Sequence, residues 1–270
     1  MSASSFDLTG RVAIITGGGG LLGRQHAAAI AGAGGIPILW DVCELNQASV
    51  RSDFGSGAQA MKVDITDPDA VKLAAGETFS KFGRLDILIN NAANNPKMEI
   101  SGGVEFSRLE EFPLAQWEAD LAVGLKGAFL CSRSVGLLMA KRGNGVIVNI
   151  ASDLSVIAPD QRLYLRKGVS PDQQPVKPVT YSVVKTGLIG LTRYLATYWC
   201  DRGVRCNALS PGGIENGQPE DFVTRLSSLV PLGRMARANE YQGALLFLCS
   251  DASAYMNGQN LVVDGGRSCW

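Results

Sequence analysis

The chain is expected to form an α/β fold: a doubly wound, seven-stranded, mostly parallel sheet with helices on both faces. Two observations carry this expectation. Seven short apolar runs alternate with amphipathic stretches along the 270 residues, as happens when strands are covered on both faces by crossover helices. The first run passes directly through a glycine-rich turn, Thr16 to Gly23, into an alanine-rich stretch. Such a turn lets a helix begin tightly against the strand before it.

The strand-like runs fall at 12–16, 36–41, 60–64, 86–90, 146–151, 204–209 and 260–264. Pro37 is tolerable because it stands at the start of its run. Helical spacing marks 21–33, 44–54, 67–82, 113–141, 179–202 and 237–250. Two connections are too long for simple turns. Residues 92–112 carry Asn94, Asn95, Pro96, Gly102 and Gly103; residues 153–178 carry Pro159, Gly168, Pro171, Pro175 and Pro178. Both follow strands, on the carboxyl edge where doubly wound sheets bind ligands. The seventh run lies close to the C-terminus, so one domain over 1–270 is expected, with a long active-site loop at 153–178.

Composition narrows the function. Lys+Arg 25 balances Asp+Glu 25, which offers no basic surplus to nucleic acid or an anionic membrane. No uninterrupted apolar run reaches the roughly 20 residues of a membrane span, and the N-terminus has no signal-peptide pattern. The six cysteines show no Cys-x-x-Cys spacing and the single histidine is His26, so neither a metal site nor a histidine-based triad is expected. A cytoplasmic location is the expectation.

The turn contains Gly18-x-Gly20-x-x-Gly23. Glycines there bring backbone N–H groups close to a pyrophosphate at a helix N-terminus. A carboxylate is then expected about 20 residues on, at the end of the second strand, to bind adenosine ribose hydroxyls. Asp41 stands there, and its neighbours Val42, Cys43 and Glu44 supply no cation for a 2′-phosphate, which favours NAD over NADP. An N-cap for the next helix is the structural alternative for Asp41. Further on, Tyr181 has Lys185 four residues later, the only tyrosine of six so placed. On a helix the two share a face. An ammonium there is expected to lower the tyrosine pKa from its ordinary value of about 10.

The chain resembles the short-chain dehydrogenase/reductases along nearly its whole length. The matching segments, in order, are TGGGGLLG, Asp41, Asp64-Ile65, Asn90-Asn91-Ala92-Ala93, Asn149-Ile150-Ala151-Ser152, YSVVK, Pro211-Gly212-Gly213-Ile214 and Val263-Asp264-Gly265-Gly266. The resemblance implies a Rossmann-type fold with Tyr181 as acid/base, Lys185 on the nicotinamide ribose and Ser152 on the reacting oxygen. It places the cofactor against Gly17, Gly20, Leu21, Leu22, Gly23, Asp41, Asp64, Ile65, Asn91, Ala92, Tyr181, Lys185, Pro211, Gly212 and Ile214, and it implies a homotetramer. Three features depart from the usual pattern: Leu21 replaces a turn glycine, Gly124 replaces a proton-relay asparagine, and Tyr181 follows Ser152 by an unusually long stretch.

The expected activity is NAD-dependent hydride transfer between nicotinamide and a secondary alcohol or ketone. The loop is rich in charge: Arg162, Arg166, Lys167 and Lys177 against Asp153, Asp160 and Asp172. That lining suits a sugar, polyol or sugar acid, with Arg162 the candidate to chelate hydroxyls or a carboxylate. Two alternatives stand beside it: a 3-oxoacyl thioester reductase, and a weakly catalytic NAD-binding sensor or scaffold. Apolar residues on most faces of the stretches 113–141 and 179–202 point to an oligomer.

Overall fold

A computed structural model describes residues 5–94 and 107–270; most of the 92–112 connection, residues 95–106, lies outside them. The strands are β1 (Val12–Thr16), β2 (Ile36–Asp41), β3 (Gln59–Lys62), β4 (Ile87–Asn90), β5 (Gly145–Ile150), β6 (Val204–Pro211) and β7 (Asn260–Val263). They form one sheet in the order β3-β2-β1-β4-β5-β6-β7. Every neighbouring pair is parallel, so the sheet goes beyond the mostly parallel expectation. The order reverses between β1 and β4, which opens a crevice at the carboxyl edge. Pro37 fits for a local reason. Ile36 donates its N–H to Arg11 on the β1 side, so residue 37 faces β3, whose pairing begins only at Ile38.

The helices are α1 (Leu21–Gly32), α2 (Gln47–Phe54), α3 (Pro68–Phe82), α4 (Leu114–Leu121), α5 (Ala128–Arg142), α6 (Val179–Tyr198), α7 (Glu220–Ser228) and α8 (Gln242–Cys249). Side chains alternate across the sheet and feed two cores. Ile14, Trp40, Leu88 and Ile147 pack with Leu130, Val135 and Leu195 on one face. Ala13, Ile15, Leu39, Ile89 and Val148 pack with Ala27, Ile30, Leu245 and Leu248 on the other. α7 lies outside the stretches where helical spacing is expected. Its few apolar residues, Phe222, Val223 and Leu226, close onto Leu163 and Met235, contacts that exist only after folding.

α4 and α5 are one continuous rod joined by a π-helical turn, Ala122–Gly127. By length and composition this rod would span a bilayer. In the fold, Leu130, Cys131, Val135 and Met139 are buried against the sheet. Gly124 sits in the π turn, where an added Cβ would lie 2.4 Å from Val184 Cγ1 of α6. The missing asparagine therefore has a packing counterpart: Val184 occupies the space a side chain at 124 would need.

Candidate active site

The site is built first from backbone. Gly17 has a φ of +61°, and a Cβ on Gly18 would stand 2.6 Å from that of Leu39. At Gly23 a Cβ would fall 2.1 Å from the Gly17 carbonyl oxygen. These positions admit only glycine, and a side chain would fill the cradle between β1 and α1. Gly20 caps α1 without a side-chain acceptor for the first amides, which leaves the positive helix end facing the turn. Leu21 points outward and Leu22 packs inward, so the atypical leucine stays clear of the cradle. Asn91 donates through Nδ2 to the Thr16 and Gly17 carbonyls (3.0 and 3.2 Å), while the Ala92 amide donates to Thr16 Oγ1 (3.1 Å).

Asp41 ends β2 beside this turn. Its carboxylate accepts the Gly19 N–H (2.9 Å) and the Cys43 N–H (3.0 Å). It does not cap α2, which Asn46 does instead. Its partner in register on β3 is Lys62, an exposed cation that the residues adjacent in sequence did not reveal. Asp64 folds back on Thr66 (2.7 and 2.8 Å), and Ile65 is buried where Gly127 leaves room. On the opposite side of the crevice Pro211 ends β6, and Gly212 lies so close to Asp264 that a Cβ would be 2.8 Å from its Cα. Ile214 bridges to Ala236. Glycine cradle, free helix end and ribose-level carboxylate together fit a dinucleotide.

Ser152, Tyr181 and Lys185 converge next to this cradle. Ser152 follows β5 and is 3% exposed. Lys185 is 6% exposed, and its ammonium donates to the Ile150 carbonyl (2.8 Å) and lies 5.8 Å from the Tyr181 ring centre. Burial, and then the charge of Lys177, pushes Lys185 down to about 8. The Tyr181 phenol is raised rather than lowered: burial dominates, a hydrogen bond with Ser152 opposes it, and the Asp153 charge adds to it. The direction is opposite to the one expected because desolvation of the phenolate is the largest influence, and the hydrogen bond with Ser152 does not offset it.

Three neighbours were not foreseen in their roles. Ser152 donates its hydroxyl to Asp153 Oδ1 (2.8 Å), and Asp153 Oδ2 takes Arg267 Nη1 (2.7 Å). Both members of this ion pair are buried, and 114 residues separate them, so no local pattern announced it. The Lys177 ammonium lies 3.8 Å from the centre of the Tyr181 ring. Its i−4 spacing mirrors that of Lys185, but Pro178 begins α6 between them and hid the relation. Arg162, by contrast, is placed differently from expectation. Its guanidinium closes on Asp160 (2.6–3.1 Å) with 80% of the side chain exposed, so the loop reaches the reaction centre through Lys177. His26 is fully buried and pushed down to about 4 by that burial, which makes it neutral.

A family model described as enoyl-(acyl carrier protein) reductase matches residues 20–268. The chain belongs to the short-chain dehydrogenase/reductases. It is 34% identical to a D-threitol dehydrogenase of Mycolicibacterium smegmatis, over 97% of this chain and 94% of that protein. It is 30% identical to an NAD-dependent glycerol dehydrogenase of Listeria innocua, over 97% and 95%. A crystal structure of a gluconate 5-dehydrogenase from Burkholderia cenocepacia in complex with NADP and tartrate superposes with a TM-score of 0.85 at 30% identity, covering 98% of each chain.

Proposed function

We propose that the protein is an oxidoreductase that interconverts a secondary alcohol and its ketone with a nicotinamide cofactor, NAD in preference to NADP, on a sugar, polyol or sugar acid. The observation that carries this is the convergence of Ser152, Tyr181 and Lys185 beside a cradle that only glycine permits. The bound nicotinamide supplies the hydride acceptor or donor. Tyr181 moves the proton at the reacting oxygen. Ser152, which donates to Asp153 here and stands beside Tyr181, turns its hydroxyl proton to the reacting oxygen as that oxygen gains charge. Lys185, anchored on Ile150, holds positive charge beside the phenolate as it forms. The relatives named for threitol, glycerol and gluconate support a polyhydroxylated substrate. Incubation with cofactor and a panel of polyols, aldoses and aldonates, followed by the absorbance of reduced nicotinamide, tests the reading; no turnover of any member counts against it.

The NAD preference rests on Asp41. Two backbone amides pin its carboxylate, so it would not turn away from a 2′-phosphate. Lys62 is the cation that would have to answer it. NADP binding as tightly as NAD would overturn the assignment, and Asp41→Ala is expected to narrow the gap.

A homotetramer belongs to the same proposal, on altered grounds. Val184, Leu188 and Ile189, apolar residues of the 179–202 stretch, are buried within their own chain. Leu114, Phe129 and Leu137 on the α4–α5 rod, with Val183, Tyr194 and Tyr198 on α6, are the apolar groups left exposed. A monomer mass in light scattering at micromolar concentration would refute it.

A further inference from the structure

We propose that Lys177 is a specificity-determining residue that binds an oxyanion of the substrate, a carboxylate or a phosphate ester, beside the hydroxyl being oxidised. The proposal deepens the oxidoreductase reading and rests on it.

Placement is the first ground. Pro178 caps α6 and Pro175 is buried. The backbone between them is tied on both sides: Val176 donates its N–H to Ser107 Oγ (3.1 Å) and Lys177 donates its own to Gln161 Oε1 (2.8 Å). The side chain therefore leaves a fixed strap. A surface lysine ordinarily extends its ammonium into water. This one is partly buried and lies over the ring of Tyr181, the group that handles the substrate proton.

Charge balance is the second. Two cations lie against Tyr181, Lys177 and Lys185, and a third, Arg267, stands behind Asp153. The carboxylate among them, Asp153, is saturated by Arg267 Nη1, Ser152 Oγ and the Leu154 amide. The nearby Asp160 is closed by Arg162. Asp120, buried next to the start of α6, is taken by Thr180 Oγ1 and Gln116 Nε2. Among the described residues no hydrogen bond or ion pair engages the Lys177 ammonium. Burial pushes it down to about 8, with Asp153 pulling the other way, so at neutral pH it is still largely charged. A chain whose formal net charge is zero thus gathers unmatched positive charge at its reaction centre. A partly buried cation without a counterion is costly, and an anionic substrate supplies the missing partner through a charge-assisted hydrogen bond.

Titration calorimetry on the cofactor-saturated protein tests this, with D-gluconate against D-glucitol and glycerol 3-phosphate against glycerol. The two pairs separate a carboxylate from a phosphate ester. Wild-type protein is expected to bind one anion at least about tenfold tighter than its neutral counterpart. Lys177→Met should erase that gap and leave the neutral polyol within about twofold, while Lys177→Arg should keep most of it. Equal binding of anion and neutral ligand by the wild type overturns the proposal. So does an equal loss for both in Lys177→Met, because Lys177 would then act on Tyr181 alone. Neither result touches the oxidoreductase reading, which fails separately if no alcohol is turned over.

Discussion

Replacing Arg267 with methionine removes the cation that holds Asp153 and leaves a carboxylate that is 3% exposed with two partners, the Ser152 hydroxyl and the Leu154 amide. Breaking a buried pair from one side costs about 3–5 kcal/mol. The two remaining hydrogen bonds put Arg267→Met near the lower end, about 3 kcal/mol. Asp153→Asn strands the guanidinium instead, and an amide N–H cannot accept from it, so its cost should be at least as large. The double variant Asp153→Asn/Arg267→Met leaves no buried charge and should recover about 2 kcal/mol of the summed loss. Urea denaturation measures all four proteins. Chemistry separates this network from a merely structural pair. Asp153 raises Tyr181, so an uncompensated Asp153 should shift the rising limb of the kcat/KM profile for alcohol oxidation to higher pH. Asp153→Asn should shift it to lower pH. Two variants that lose stability yet leave the limb in place, or move it the same way, would refute the link from Arg267 through Asp153 to Tyr181.

Lys177→Met should be more stable than wild type at pH 7, by about 1–3 kcal/mol. The sign follows from its pKa, which is near 8 in the folded protein and 10.5 ordinarily. Below pH 8 the penalty of the buried ammonium is fully present. It fades as pH rises toward 10.5, where the unfolded chain binds the extra proton, so the variants should converge in denaturation run at high pH. Gly124→Ala forces a Cβ to 2.4 Å from Val184 Cγ1 and should cost about 1–2 kcal/mol, overpacking less the helix gain. Val184→Ala in the same chain should return much of that loss, and a melt of the double variant checks it. Tyr181→Phe should abolish turnover while cofactor affinity, measured by titration, stays near wild type; retained activity would place the acid/base elsewhere.

Much of the fold could be read locally. The strands are apolar runs because both sheet faces are covered, and each starts and stops within two residues of its expected position. The glycine turn was legible in part because Gly23 answers to atoms of the turn itself, the Gly17 carbonyl and Gly18. Tyr181 and Lys185 were legible because one helix sets their spacing. α7 was not, since its apolar face is small and gains meaning only against Leu163 and Met235.

The tertiary structure alone decided the rest. The strand order put Asn90 of β4 against Asn149 of β5 (2.8 Å) and set Lys62 beside Asp41. Chain closure brought Arg267 to Asp153 and Val184 into the gap at Gly124. Folding also reversed a sign: a lysine one turn from Tyr181 argued for a lowered phenol, while burial of the phenol raises it. Periodicity and spacing report on residues that one element holds together. Desolvation, and contacts between distant segments, depend on which elements pack around a residue, and no window of sequence contains that.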